Sequence, residues 1–285
     1  MLNQKIIANL HATSHIHNRC STFKKTMRKY LAFFILSIFV AFSYGQTANE
    51  LNEQSKEFLK AQNFEKSYPL IKKSAELGNA EAQYNLGVSL EYGYGVEKNE
   101  SQAFDWYLKS AKQGWNDGLY KMMMAHATGK NAELNYEKAF QYALECSEND
   151  DPTCMLNVVS CYKDGMGTEK NLEKMLEWAI RLGKLENPEN LARSGKITSA
   201  RLNLAYMYRD GTDVKKDLAK SYAWFLIFNE FKKDFSYFQQ QSIVKEIQEL
   251  EDELSSDEKA NGKDNAENIL GRKLKNMDNL YKAEM

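Results

Sequence analysis

Proline is nearly absent from this 285-residue chain, with three residues, and histidine and cysteine are scarce, with four each. So few prolines argue against a turn-rich β sandwich and leave helices unbroken. The histidines and cysteines are the only soft metal ligands and ready catalytic bases, so any active site must be built from very few residues. Long apolar runs are also missing. The longest, Leu31 to Phe42, spans twelve residues, short of the roughly 20 that a membrane-spanning helix needs. Net charge is close to nil, at −1, which gives no global argument for nucleic acid. What is present points to an ordered soluble chain. Apolar residues at 43% exclude a disordered polymer, and 27% charge with a mean hydropathy of −0.62 excludes a multi-span membrane protein.

Acidic residues are missing altogether from residues 1–45, which carry Lys5, Arg19, Lys24, Lys25, Arg28 and Lys29. The apolar run follows this basic stretch and leads into Ser43-Tyr44-Gly45. A basic start, a short apolar middle and small residues at −3 and −1 form a secretory signal, with cleavage expected after Gly45. A retained signal anchor is the competing reading. No cysteine follows the run, which argues against a lipoprotein anchor. Met27 makes a natural initiator, leaving residues 1–26 as an upstream extension. Without residues 1–45, the other 240 hold 32 basic and 39 acidic groups, a net charge of −7. They keep only His126 among the histidines, with Cys146, Cys154 and Cys161. The expectation is an acidic, exported body, periplasmic or extracellular, with no membrane anchor after cleavage and little equipment for catalysis.

A 36-residue period organises that body. Gly93, Trp106 and Ala103 recur 36 residues later as Gly129, Tyr142 and Ala139. After 72 residues, Glu97-Lys98-Asn99 returns as Glu169-Lys170-Asn171, and Gly93 and Gly95 return as Gly165 and Gly167. Past Gly183 the register slips by ten residues, and Ala200, Leu204, Tyr208, Gly211 and Trp224 restore it. Each unit holds two apolar stretches. The first, Ala82-x3-Leu86-x3-Leu90, has helical spacing and ends at Gly93-x-Gly95, where left-handed backbone angles favour glycine. The second, from Ala103 through Trp106-Tyr107 to Ala111, stops at Gly114. Two helices of about a dozen residues cannot bury their faces alone, so the units must stack.

This pattern, Ala-x3-Leu-Gly through Gly-x-Gly-Val to Ala-x2-Trp-Tyr-x3-Ala-x2-Gly, resembles the Sel1-like repeat, a relative of the tetratricopeptide repeat. The resemblance implies an all-α fold, an α/α solenoid (superhelix) of helix-turn-helix repeats. It also implies a scaffold for protein contacts of the kind often found in exported bacterial proteins. The expected plan is a targeting segment over 1–45 and a solenoid over 46–230. Within the solenoid lie a partial unit 48–78 and units 79–114, 115–150, 151–186 and 198–230. A C-terminal helical cap follows over 231–285. Asn131, in place of the second loop glycine, makes 115–150 the most divergent unit. The insertion 184–197 is expected to lengthen a loop or add a turn. In the cap, Ile243, Ile247, Leu250 and Leu254 lie on one helical stripe, and Ser255-Ser256-Asp257-Glu258 announces a polar helix over about 257–282. A partner-binding tail is the other reading of that end.

Chemistry finds little support. His126 takes the register position of Leu90, Tyr162 and Tyr208, which makes it a packing residue. Cys146 and Cys154 flank the turn between two units, where consecutive helices meet, so their side chains could approach disulfide distance. The same C-x7-C spacing resembles the cysteine-rich branch of the family, where it staples each turn. The alternative is that all three cysteines fill small positions. Cys161, about 10 Å farther along one helix, is expected to be a buried free thiol. Gly93-x-Gly95 follows a helix and lacks the third glycine of a phosphate loop. Ser242-x2-Lys245 has no Ser-Asp-Asn or Lys-Thr-Gly partner. The lysine pairs are isolated, with no nucleic-acid stripe. Glu148, Asp150 and Asp151 read as a hydrated acidic turn rather than a calcium site. No catalytic residue, cofactor or metal is assigned.

The resemblance places the first helix of each pair on a concave side. That face would comprise Glu81, Tyr84, Val88, Glu91, Tyr120, Met124, Leu156, Lys163, Tyr206 and Arg209, an aromatic and Met-containing groove suited to an extended or helical peptide. The resulting reading is a monomeric exported scaffold in the bacterial envelope. It would bind a protein or peptide partner without nucleic acid and without catalysis. A secreted enzyme acting on a lactam or peptidoglycan fragment, suggested by the cysteine-rich branch, is the alternative.

Overall fold

The repeat pattern becomes helices in a computed structural model, which describes residues 47–284. The expected signal and its cleavage site lie outside those residues. Among the described residues there are twelve α-helices and no strand. The chain is an all-α solenoid of repeats, in which helix packs on the next helix in sequence. It divides into two compact units after Ala103.

In the first unit, α1 (47–60), α2 (Phe64–Glu76) and α3 (Ala80–Tyr92) follow one another, and α4 (Glu100–Ala111) begins. The Ala82, Leu86 and Leu90 stripe is buried, at 0%, 2% and 4% exposure. Ser74 Oγ donates to the Ala48 carbonyl at 2.7 Å, tying α2 to α1. The second loop glycine is set by a close approach of two backbones. A Cβ on Gly95 would lie 2.3 Å from the Phe64 carbonyl oxygen at the start of α2.

The second unit holds α5 (Asn116–Thr128), α6 (Tyr136–Glu148), α7 (Pro152–Asp164), α8 (Leu172–Lys184), α9 (Leu191–Asp210) and α10 (Leu218–Glu230). It closes with α11 (Tyr237–Glu253) and α12 (Ser256–Leu270). The contact at Gly95 recurs here, with Gly167 against the Tyr136 carbonyl. The period also sets the helix starts. Asn63, Asn135 and Asn171 cap α2, α6 and α8, each side chain accepting from the backbone N–H three residues on, and Asp217 does the same for α10. The backbone N–H of Asn99, Asn135, Asn171 and Asp217 in turn donates to Leu90, His126, Tyr162 and Tyr208 of the preceding helix, at 2.8–2.9 Å. One residue per unit thus starts the second helix and pins it to the first.

Two elements depart from the sequence reading. The 184–197 insertion contributes more than a turn. Asn190 caps a 20-residue α9, so residues 191–197 extend the first helix of the last repeat. Buried Arg201 holds the preceding loop, donating to the Gly183 and Leu185 carbonyls and to Asn187 Oδ1, and it stacks on Phe231. Burial pushes its guanidinium down to about 10. Asp234 Oδ2 accepts from Asn187, Ser194 and Thr198 at 2.5–2.7 Å and completes the knot.

The second departure is the polar helix expected to run to 282. It starts as expected, at a Ser255/Glu258 capping box, but stops at Leu270 before left-handed Gly271. The tail is diverted by buried charges on α10 and the turn after it. Glu230 accepts from Arg272 and from the backbone N–H of Lys275 and Asn276. Lys232, 1% exposed, donates to the carbonyls of Asn279 and Lys282. A lone helix would have left both ions buried and unpaired. These contacts enclose α10, whose residues Ser221 to Asn229 are all buried. Ile243, Ile247, Leu250 and Leu254 pack in the same core cluster.

Tyrosines lock this end. Glu251 accepts from Tyr222 and, at 2.6 Å, from Tyr281. Burial, then Glu251, raises the Tyr222 hydroxyl. The bond to Glu251, then burial, pushes Tyr281 up to about 12, and burial beside Glu246 pushes Tyr206 up to about 12. Raised folded values mean that the stabilisation is complete below the unfolded value near 10 and is lost as pH climbs towards 12. Lys232, lowered by burial, acts with the opposite sign, adding stability as pH rises to its unfolded value near 10.5. Arg201, lowered by burial, acts with the same sign as Lys232, while burial also raises Tyr142 and Tyr208. With five tyrosines against one lysine and one arginine, the urea midpoint should fall between pH 10 and 12, more gently in Glu251→Gln. A flat midpoint for the wild-type protein would contradict the tyrosine lock.

Candidate functional site

The expected concave-face residues fall into three groups. In the first unit, Glu81, Tyr84, Val88 and Glu91 form one half-buried stripe of α3. Glu81 is already engaged, accepting from Asn52 Nδ2 at 2.7 Å and pairing with Lys56 at 3.2 Å. In the second unit, Tyr120 of α5 packs against the Met123–Phe140–Tyr162 cluster, while Met124 is exposed. Farther along, α7 and α9 bring Leu156, Lys163 and Tyr206 into one cavity of about 420 Å³.

The cavity has an apolar floor and a polar mouth. Met175 and Leu182 of α8 and Leu204 of α9 form the floor, each almost fully buried. Ser160, Asn203 and Asp210 stand along its edges. Lys163 pairs with Asp213 at 3.0 Å beyond α9. Tyr206 donates to Glu246 of α11 at 3.2 Å, and Arg209 pairs with the same carboxylate at 2.7 Å while stacking on the Tyr206 ring. Arg209 is therefore an internal brace rather than a free contact residue. The hydrogen bonds it donates to Asp210 and then to Glu246 raise its guanidinium further. Nothing in the local sequence pairs Arg209 with Glu246, 37 residues away, so the sequence shows the stripe but not the brace.

Cys146 and Cys154 are joined by a disulfide across the α6–α7 turn, with a Cα separation of 5.7 Å. Asp151 sits inside that turn and caps α7, accepting from the backbone N–H of Thr153 and Cys154. Closing so short a loop stabilises by roughly 2.5 kcal/mol in the chain-entropy account. The Cys146→Ala/Cys154→Ala protein should lose about that much in urea unfolding, and reductant should then shift only the wild type. Equal unfolding of both proteins, with and without reductant, would show that the bridge is not formed in solution.

Cys161 is free but half-buried rather than fully enclosed, and burial raises its thiol. The acidic turn is paired rather than merely hydrated, since Arg181 binds Glu148 at 3.2 Å and Asp150 at 2.9 Å. His126 is buried, with Nδ1 3.0 Å from the Glu133 carbonyl and its ring stacked on Tyr142. Lys245 of the isolated Ser-x2-Lys pairs with Glu249.

Comparison with known proteins agrees with this architecture. The Sel1 repeat matches four times, at residues 80–115, 117–151, 154–186 and 198–227. A Sel1 repeat protein from Oxalobacter formigenes is 21% identical, with 68% of this chain and 74% of that chain covered and a TM-score of 0.55. Two other solved structures superpose with TM-scores of 0.40. One is a protective antigen of uropathogenic Escherichia coli strains displaying an SLR fold, 19% identical, with 85% of this chain and 57% of that one covered. The other is an immunity protein from Pseudomonas aeruginosa, 16% identical, covering 82% and 86%. No curated protein is significantly similar. With four copies of the repeat and a solenoid of paired helices, the chain belongs to the Sel1 repeat family.

Proposed function

We propose that this protein is an exported scaffold that holds a peptide segment of a protein partner in the α7–α9 groove and performs no chemistry. The observation that carries the reading is the groove itself, about 420 Å³ with a buried apolar floor and a mixed polar rim. Such a lining takes apolar side chains while polar edges meet a peptide backbone. Export fits the Cys146–Cys154 bridge, which belongs to an oxidising compartment. It also fits the basic and apolar N-terminal pattern. No helix among the described residues is long and apolar enough to cross a membrane. The protein acts as a monomer and without nucleic acid.

The test plugs the groove without touching its floor. Ser160→Trp, at an exposed position, should abolish capture of a partner from envelope extract, while a tryptophan at exposed Ser242 of α11 should not. Equal capture by both variants would remove the groove from the function. Fractionation should find a chain beginning at Gln46 outside the cytoplasm, and an intact N-terminus in the cytoplasm would end the export reading. Hydrolysis of a lactam or peptidoglycan fragment, abolished by one point substitution, would overturn the non-catalytic reading.

A further inference from the structure

Helix α8, the last repeat and α12 line a second, open cavity of about 370 Å³ that the peptide groove does not use. Neighbouring residues of α9 separate the two, with Met207 lining the groove and Tyr208 the second cavity. Tyr208 and Trp224 give it aromatic walls, and Ile180 of α8 and Ile269 of α12 complete the apolar part. All four aromatic and aliphatic walls are held by the packed core, so the space is preformed.

The remaining lining is polar and carries one sign of charge. Lys184, Lys220, Asn265 and Asn268 reach it, and no acidic residue does. Lys220 is partly neutralised, lying 3.3 Å from Asp217, with its ammonium 5.5 Å from the Tyr208 ring centroid. Lys184 is exposed and forms no ion pair with any described residue. The side-chain amides of Asn265 and Asn268 likewise bond to no described residue. An unpaired cation and two exposed amides that line one cavity can supply charge-assisted and neutral hydrogen bonds to the oxygens of a carboxylate. The aromatic walls offer nothing to a bare inorganic anion but favour an apolar body. The volume suits a ligand of small-molecule size. A cation would meet Lys184 with like charge, and a neutral ligand would leave the ammonium unpaired.

We propose that this cavity binds a small organic monocarboxylate with an aromatic or branched apolar body. Its carboxylate lies at Lys184 and the two asparagines, and its apolar body lies against Tyr208 and Trp224. The site exists only where a helix outside the repeat pattern, α12, meets the last repeat, which is why the 36-residue period gives no sign of it.

Isothermal titration of the purified protein at low salt, with 3-phenylpropionate and its neutral amide as probes, tests the assignment. The acid should bind saturably, one per chain, and the amide at least about ten-fold more weakly, the difference a charge-assisted contact supplies. Lys184→Met, a change at an exposed position, should bring the acid down to the level of the amide, whereas Lys184→Arg should keep most of the affinity. The groove variant Ser160→Trp should bind the acid as the wild type does, so the two sites fail or succeed separately. Equal binding of acid and amide, indifference to Lys184→Met, or loss in Ser160→Trp would overturn the proposal. So would no binding of either probe or of 4-phenylbutyrate. Binding of acetyl-Gly-Phe when the simple acids fail would replace it with a peptide C-terminus.

Discussion

Alanine at Gly167 should destabilise the protein by roughly 3–5 kcal/mol, whereas alanine at Gly165, two residues away, should cost only about 1–2 kcal/mol. Both glycines have left-handed φ, +71° and +76°, so both substitutions carry the same backbone penalty. They differ in what the new methyl meets. At Gly165 the nearest atom lies 3.4 Å away, a contact that small shifts absorb. At Gly167 the methyl would sit 2.0 Å from the Tyr136 carbonyl oxygen and 2.4 Å from its carbon. Those are backbone atoms of the first turn of α6, fixed by the Asn135 cap, and they cannot rotate away. Relief requires the loop to lift from α6. Urea unfolding of the two single variants gives the comparison. If both lose the same stability, the close approach is not what demands glycine.

Asp234→Ala should cost roughly 3 kcal/mol or more and should loosen residues 185–200 ahead of the rest of the chain. One carboxylate oxygen satisfies Asn187, Ser194 and Thr198 together. Its removal orphans the hydroxyl donors of buried Ser194 and Thr198, while Asn187 keeps its bonds to those two hydroxyl oxygens. It also takes away the charge that offsets the burial of Arg201. Hydrogen exchange of the α9 amides should therefore speed up more than that of α5–α7. The double variant with Arg201→Met should recover part of the loss, because a buried cation without its counter-charge is worse than neither. If the double variant is additive in stability, the two charges are not coupled.

The sequence made the helices legible because each carries its own evidence. Ala82, Leu86 and Leu90 mark a buried stripe, Gly93 a stop, and Asn99 recurs at the position where the next helix starts. All of these signals sit within one 36-residue unit. The cysteine pair was legible for the same reason, being eight residues apart across one turn. What could not be read depends on partners far along the chain. Asp234 reaches back 36–47 residues to its donors, and Lys232 reaches forward 47–50 to the tail carbonyls. The insertion therefore reads as a loop until Asp234 and Arg201 are placed against it. The tail reads as a helix until Gly271 and Glu230 divert it. The face residues divide in the same way. Leu156, Lys163 and Tyr206 share a cavity as helical register implies, while Arg209 and Glu81 are claimed by Glu246 and by Asn52 and Lys56.

The enclosure of α10 bears on how the chain is made. Ala223 to Phe228 are each 2% exposed or less, and α11, α12 and the tail through Glu284 supply part of the cover. A chain emerging from a ribosome or a translocation pore presents α10 before those covering segments exist. Until about the last fifty residues arrive, this stretch is a bare hydrophobic rod, the kind of surface through which nascent chains aggregate or are held by chaperones. The earlier hairpins close as they emerge, from local contacts. The final repeat must wait, so synthesis has one late, vulnerable step, and truncations within the tail should be lost to proteolysis rather than accumulate as shorter scaffolds.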